Sequence, residues 1–221
     1  IARFYIWVIR GTPLLVQLFI SGMNSALTPW MYSKIKKGDI RSMRKVLQLL
    51  SIVVVGIAVA LMLISPEMVL IFGSPKYREA VYVIPPVAAS VFFIFIYNIL
   101  SMPQFYYEKT QFLMAASMAA AGANVVLNFI FIRLFGYIAA GYTTLACYML
   151  YSVGHYIVSK QILVNEGIQE NLMNPGFLLA CSVFLIGASI ICNLIFPYRI
   201  LRYAILLASA GLVFWKKELL L

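Results

Sequence analysis

Long apolar runs broken by short polar stretches fill the chain from end to end. An α-helix needs about 20 apolar residues to cross a hydrocarbon core of ~30 Å. Seven runs reach or approach that length, at residues 12–32, 46–65, 82–102, 112–132, 137–158, 176–196 and 200–215. The second continues into an amphipathic stretch, SPEMVLIF, that ends at residue 72. The seventh is short and carries Arg202 near its start, where a guanidinium can snorkel to lipid headgroups. Short connections at 73–76, 134–136 and 197–198 imply antiparallel neighbours. Longer polar connections near 33–45 and 160–175 read as exposed. The pattern predicts an all-α, polytopic transmembrane helical bundle of about seven spans.

Composition points the same way. Apolar residues are 63% of the chain and charged residues 11%, against roughly 45–50% and about 25% in soluble domains. No water-soluble fold of this size hides that much apolar surface. The net charge of +10 raises nucleic acid as a partner, and its distribution argues against one. Lys34, Lys36, Lys37, Arg41, Arg44 and Lys45 gather beside a span, as a topology signal and a membrane-surface contact for anionic lipid headgroups. Lys109, Lys160, Lys216 and Lys217 fall on the same side by loop alternation. Only Lys76, Arg78, Arg133, Arg199 and Arg202 fall on the other, which predicts a cytoplasmic 33–45 loop and C-terminus. The chain opens at Ile1 with no signal-peptide cleavage site, so a fragment lacking earlier helices is expected. Cys147, Cys181 and Cys192 lie inside apolar runs without CxxC spacing and read as small buried hydrophobes.

Polar groups in hydrocarbon are costly and mark candidate sites. Asn124 and Asn128, four apart, share one face of the fourth run, beside small residues Ala115, Ala119, Gly122 and Ala123. They line a substrate cavity or hydrogen-bond between packed helices. His155, the chain's single histidine, is a proton-coupling candidate or an interfacial residue with a water or carbonyl partner. Asn98 and Gln104, near Tyr97, Tyr106 and Tyr107, form a sugar- or headgroup-contacting rim or part of an aromatic belt. Pro85 and Pro86 fix a helix entry or kink, or serve as a hinge. Arg133, and Arg10 before the first run, are cations suited to a pyrophosphate, with snorkelling as the plainer reading for Arg133.

Catalytic signatures are missing. The chain has no GxxxxGK[ST], HExxH or GxSxG, and no carboxylate pair inside a run. The expectation is a protein that is not an enzyme and holds neither metal nor cofactor.

Three stretches carry a family resemblance: MNSALTPWMYSKIKKGDIRSMRK (23–45), ISPEMVLIFGSPKYREAVYVIPPVAASVFF (64–93) and EKTQFLMAASMAAAGANVVLNFIFIRLFGYIAAGYTTLACY (108–148). In order and spacing they are similar to the Wzx-type polysaccharide flippases of the multidrug/oligosaccharidyl-lipid/polysaccharide exporter superfamily. They cover a little under half of the chain. Arg133 stands where the family usually has proline, and Ala139-Ala140-Gly141 departs from its Gly-Ala-Ala order. The resemblance implies that residues 21–221 form the C-terminal, second lobe of a MATE-like flippase. It implies multi-pass residence in the bacterial inner membrane and an undecaprenyl-pyrophosphate-linked oligosaccharide as cargo, moved outward for polysaccharide or O-antigen assembly. Its partners would be membrane lipids, the lipid-linked oligosaccharide and a missing N-terminal lobe. Without that lobe the fragment is expected to be inactive.

Residues 1–20 resemble a different family, the permease subunits of polar amino-acid ABC transporters, through Tyr5, Arg10, Gly11, Thr12, Pro13, Leu14, Leu15 and Gln17. The cytoplasmic EAA…G coupling loop of such permeases is absent. The chain therefore reads as a composite, a permease-like segment at 1–20 joined to flippase-like sequence near residues 20–24. A permease subunit is the alternative function, and a membrane enzyme of polysaccharide assembly a second one. The latter is disfavoured by the short outer loops.

Overall fold

The computed structural model describes the backbone of residues 20–72 and 75–215, and the side chains of 20–71 and 79–208. The permease-like segment, Arg10 included, and the tail lysines fall outside the described residues. Among those described there is no strand. Eight α-helices follow in order: 20–36 (α1), Ile40–Leu63 (α2), Ser65–Phe72 (α3), Ile84–Tyr106 (α4), Gln111–Phe135 (α5), Ala139–Asn165 (α6), Pro175–Ile195 (α7) and Arg199–Trp215 (α8). A 3-10 helix, Pro75–Tyr82, leads into α4.

Four stretches are long and apolar enough to cross a membrane: Ile40–Leu63, Glu79–Tyr106, Gln111–Phe135 and Pro175–Ile195. This fits a membrane protein, with fewer qualifying spans than the seven expected. The shortfall has physical reasons. At 27 residues α6 is long enough, yet Thr143, Thr144, Ser152, His155 and Ser159 lower its hydropathy. At 17 residues α8 is too short, and α1 is described only from residue 20.

The bundle is organised around α4, which packs against α2, α6 and α7. Phe92, Phe95, Ile96, Ile99 and Leu100 are all fully or nearly fully buried. Pro85 and Pro86 occupy the first turn of α4, where the missing N–H groups have no intrahelical partner to lose. They start the helix and do not kink it. Gly141 lets α6 close on this same turn, because a Cβ there would lie 2.8 Å from Pro86 Cγ and 2.9 Å from the Val83 carbonyl.

Local chemistry sets the breaks. Pro66 cannot donate to the Met62 carbonyl one turn back, and the Ser65 hydroxyl donates to it instead at 2.7 Å. That substitution separates α2 from α3. Gly136 ends α5 at φ 76°, a positive-φ backbone that glycine adopts readily and other residues rarely do. The 33–45 segment is mostly helical, and only 37–39 is turn. Asp39 caps α2 by accepting from the Ser42 amide at 3.3 Å.

Cross-links group the connections into two ends. Arg44 bonds Glu170 and the Asn171 carbonyl, and Lys109 bonds Glu166, so 37–39, 107–110 and 166–174 share one end. At the other end Tyr137 donates to Glu79 at 2.6 Å, and the Tyr82 and Phe196 rings meet at 5.7 Å. The chain thus runs up and down between the two ends.

Candidate functional site

None of the residues of α5 is buried, and its main neighbour is α6. Ser117, Asn124 and Asn128 lie seven and four residues apart, so one helical face carries all three. The Asn128 amide donates to Asn124 Oδ1 at 2.9 Å, and the Thr143 hydroxyl donates to Asn128 Oδ1 at 2.5 Å. The hydroxyls of Ser117 and Tyr151 pair at 2.6 Å. Part of the asparagine stripe therefore fastens α5 to α6, as the packing alternative expected. The Asn124 amide nitrogen has no partner among the described residues.

Above that seam lies a cavity of 530 Å³, lined by Tyr97, Ser117, Asn124, Thr144, Tyr148 and Tyr151 among others. The rings of Tyr97 and Tyr148 stack with 7° between planes, 6.3 Å apart. Tyr151 leans on Tyr97 at 4.7 Å. The lining offers aromatic faces, hydroxyls and an amide, without a charged group. Such a surface suits an uncharged, hydroxyl-rich ligand that stacks on rings and exchanges hydrogen bonds.

His155 lies ten residues before the end of α6 at Asn165, and its imidazole is fully buried. Gln104 Nε2 lies 2.7 Å from its Nδ1, and Tyr97, Tyr151 and Phe112 surround the ring. Gln104 Oε1, His155 Nε2 and Ser159 Oγ are buried and have no hydrogen-bond partner among the described residues. The pair ties α4 to α6 beside the tyrosine cavity.

Of the expected cavity residues only Asn124 lines this cavity; Asn128 and His155 lie beside it, and Asn98 and Arg133 are engaged elsewhere. Asn98 spends its amide on the Ile94 carbonyl at 2.7 Å, on its own helix. Arg133 is exposed at the end of α5, its guanidinium 3.9 Å from the centroid of the Phe129 ring. Its charge also complements the helix C-terminus.

The basic residues divide into two groups. Lys34 pairs with Asp39 at 2.5 Å, Arg44 with Glu170 at 3.2 Å, and Arg41 reaches Glu170 only at 3.9 Å. The Lys34 and Ser42 hydrogen bonds hold the Asp39 carboxyl down at about 2. Lys36, Lys37 and Lys45 are exposed and make no ion pair among the described residues.

Sequence reasoning missed the α3–α8 clasp. Arg202 does not snorkel: it is 3% exposed, and its two terminal nitrogens meet the Glu67 carboxylate at 2.8 and 2.9 Å. The Leu63 carbonyl and the Tyr203 hydroxyl complete the cluster. The signal available was the lone Glu67 in an otherwise apolar stretch, whose charge needs a partner. Among the described residues no cluster of three or more metal-ligating side chains forms. Comparison with protein families, with curated proteins and with solved structures found no match to this chain.

Proposed function

We propose that residues 21–221 belong to a translocator of undecaprenyl-pyrophosphate-linked oligosaccharides, as the C-terminal lobe of a polysaccharide flippase. The observation that carries the reading is the uncharged cavity of Tyr97, Asn124, Tyr148 and Tyr151, set between helices of membrane-spanning length and chemically suited to a sugar. The sequence resemblance at 23–45, 64–93 and 108–148 supports it independently. On this reading Asn124 and the tyrosines contact sugar, Asn128 holds the wall in place, and Lys36, Lys37 and Lys45 face anionic headgroups on the cytoplasmic side. The protein then resides in the bacterial inner membrane and binds its cargo without reacting with it. A polar amino-acid permease remains the second reading, favoured by the RGTPLL-x-Q sequence at 10–17.

The test is binding of a fluorescent undecaprenyl-pyrophosphate oligosaccharide to the chain in lipid nanodiscs. Asn124→Ala and Tyr148→Ala should each weaken binding about tenfold, the effect of one or two lost hydrogen bonds or a lost stacking contact. Equal binding of the bare lipid carrier, with no response to either substitution, would sink the reading. Neighbouring glycosyltransferase genes at the native locus would favour the flippase, and an ATPase with a binding protein the permease.

A further inference from the structure

A second cavity, of 260 Å³, runs between α4, α6 and α7, and the proposed translocation leaves it unused. Its floor is Phe92, Phe93 and Ile96, all at most 5% exposed. Its rims are Val153 of α6 and Leu179 of α7, at 56% and 66% exposed, so the slot opens sideways, away from the bundle. Both serine hydroxyls in its walls are already engaged. Ser152 donates to the Phe93 carbonyl at 2.9 Å, and Ser182 to the Leu178 carbonyl at 2.7 Å. An occupant therefore meets apolar surface almost alone.

The lining sets the chemistry of the occupant. Along α7 it runs from Pro175 to Ser182, a rise of about 10 Å, so an apolar chain can lie along the helix against Phe92, Phe93 and Ile96.

Its mouth is charged. Pro175 lies at the end of the molecule that carries the 166–174 connection. On α6, Met149, Val153, Tyr156 and Lys160 are spaced four, three and four apart and share a face. Lys160 stands one turn beyond Tyr156, exposed and without an ion pair among the described residues. Arg44 is near Tyr156 but is engaged by Glu170 and Asn171. We propose that this slot binds one acyl chain of an anionic glycerophospholipid, whose phosphate meets Lys160 and the Tyr156 hydroxyl. The site requires only that the helices sit in a bilayer, and it stands whatever cargo the protein moves.

Native mass spectrometry of the full chain, released from detergent with phosphatidylglycerol or phosphatidylcholine of equal chain length, tests this. The wild-type protein should retain one phosphatidylglycerol with about fivefold preference, the discrimination one lysine near a membrane surface supplies. Lys160→Gln, at an exposed position, should bind both lipids equally. Leu179→Trp, on the exposed rim, should close the slot and lose both. Wild-type retention in Leu179→Trp, an unchanged preference in Lys160→Gln, or a lipid-free dimer would each overturn the assignment.

Discussion

Removing the Glu67 carboxylate should destabilise the fold more than any other loss of a charge. In Glu67→Ala, Arg202, 3% exposed in the native protein, keeps its charge and loses both carboxylate bonds, leaving the Leu63 carbonyl at 2.8 Å and the Tyr203 ring. Breaking a buried ion pair from one side costs about 3–5 kcal/mol. The Glu67 side chain is itself 21% exposed, which places the expected loss near the lower bound, about 3 kcal/mol. Glu67→Gln keeps an acceptor oxygen without the charge and should lose about 1.5–3 kcal/mol. The double variant Glu67→Leu, Arg202→Met removes both charges together and should unfold within about 1 kcal/mol of wild type. The assay is reversible unfolding in mixed micelles, titrated with sodium dodecyl sulfate and followed by circular dichroism. A Glu67→Ala loss below about 1 kcal/mol, or a double variant as unstable as the single one, refutes the reasoning. The pH dependence has a definite sign. Burial pushes the Glu67 carboxyl up, but the Arg202 and Tyr203 hydrogen bonds outweigh it and leave it below its usual 4.5. The stability it confers is complete above pH 4.5 and is lost as pH falls through the lower, folded value. Glu67→Gln should abolish that acid limb.

Other substitutions probe other contacts. Gly141→Ala places a methyl 2.8 Å from the Pro86 ring and 2.9 Å from the Val83 carbonyl, neither of which can swing aside, and should cost about 1–3 kcal/mol in the same titration. Gly122→Ala, with nothing within 4 Å of the new Cβ, should be neutral or slightly stabilising; equal behaviour of the two would refute the close-approach argument. Asn128→Ala removes the Thr143 bond and should cost about 0.6 kcal/mol, typical of interhelical hydrogen bonds in membranes. Arg44→Ala should speed amide hydrogen exchange across 166–174, and unchanged exchange would mean that Glu170 and Asn171 do not depend on it.

The helical architecture was legible because apolar run length is a direct consequence of helix rise: α5 and α7 fall where the runs placed them, while α2 starts six residues before its run. Helix ends were less so. The basic segment at 33–45 and the polar residues after 158 read as loop, yet α1 ends at 36 and α6 continues to Asn165, because charged residues are good helix formers once past the hydrocarbon. Nor could the sequence show that His155 is buried against Gln104, fifty-one positions away. Spacing alone put Asn124 and Asn128 on one face. It could not show that Thr143, fifteen residues on, takes up Asn128. The tyrosines lining the cavity come from two helices, Tyr97 on α4 and Tyr148 and Tyr151 on α6, and only the packing of those helices brings them together. Arg202 was misread for the same reason, since its partner lies 135 positions earlier in the chain.

The central position of α4 has a further meaning. In water an apolar helix is driven inward. In a bilayer lipid tails are as apolar as its side chains, and nothing is gained merely by leaving them. Beside the Gln104–His155 and Ser152–Phe93 hydrogen bonds to α6, what keeps α4 enclosed is therefore shape: Ala88 and Ala89 on its own surface, and Gly141 opposite its first turn, let the backbones approach closely. Replacing Leu100 or its isoleucines with other hydrocarbons of similar hydropathy should accordingly matter wherever volume changes. Hydropathy admits this helix to the membrane, and fit, with a few hydrogen bonds to α6, decides that it ends at the centre.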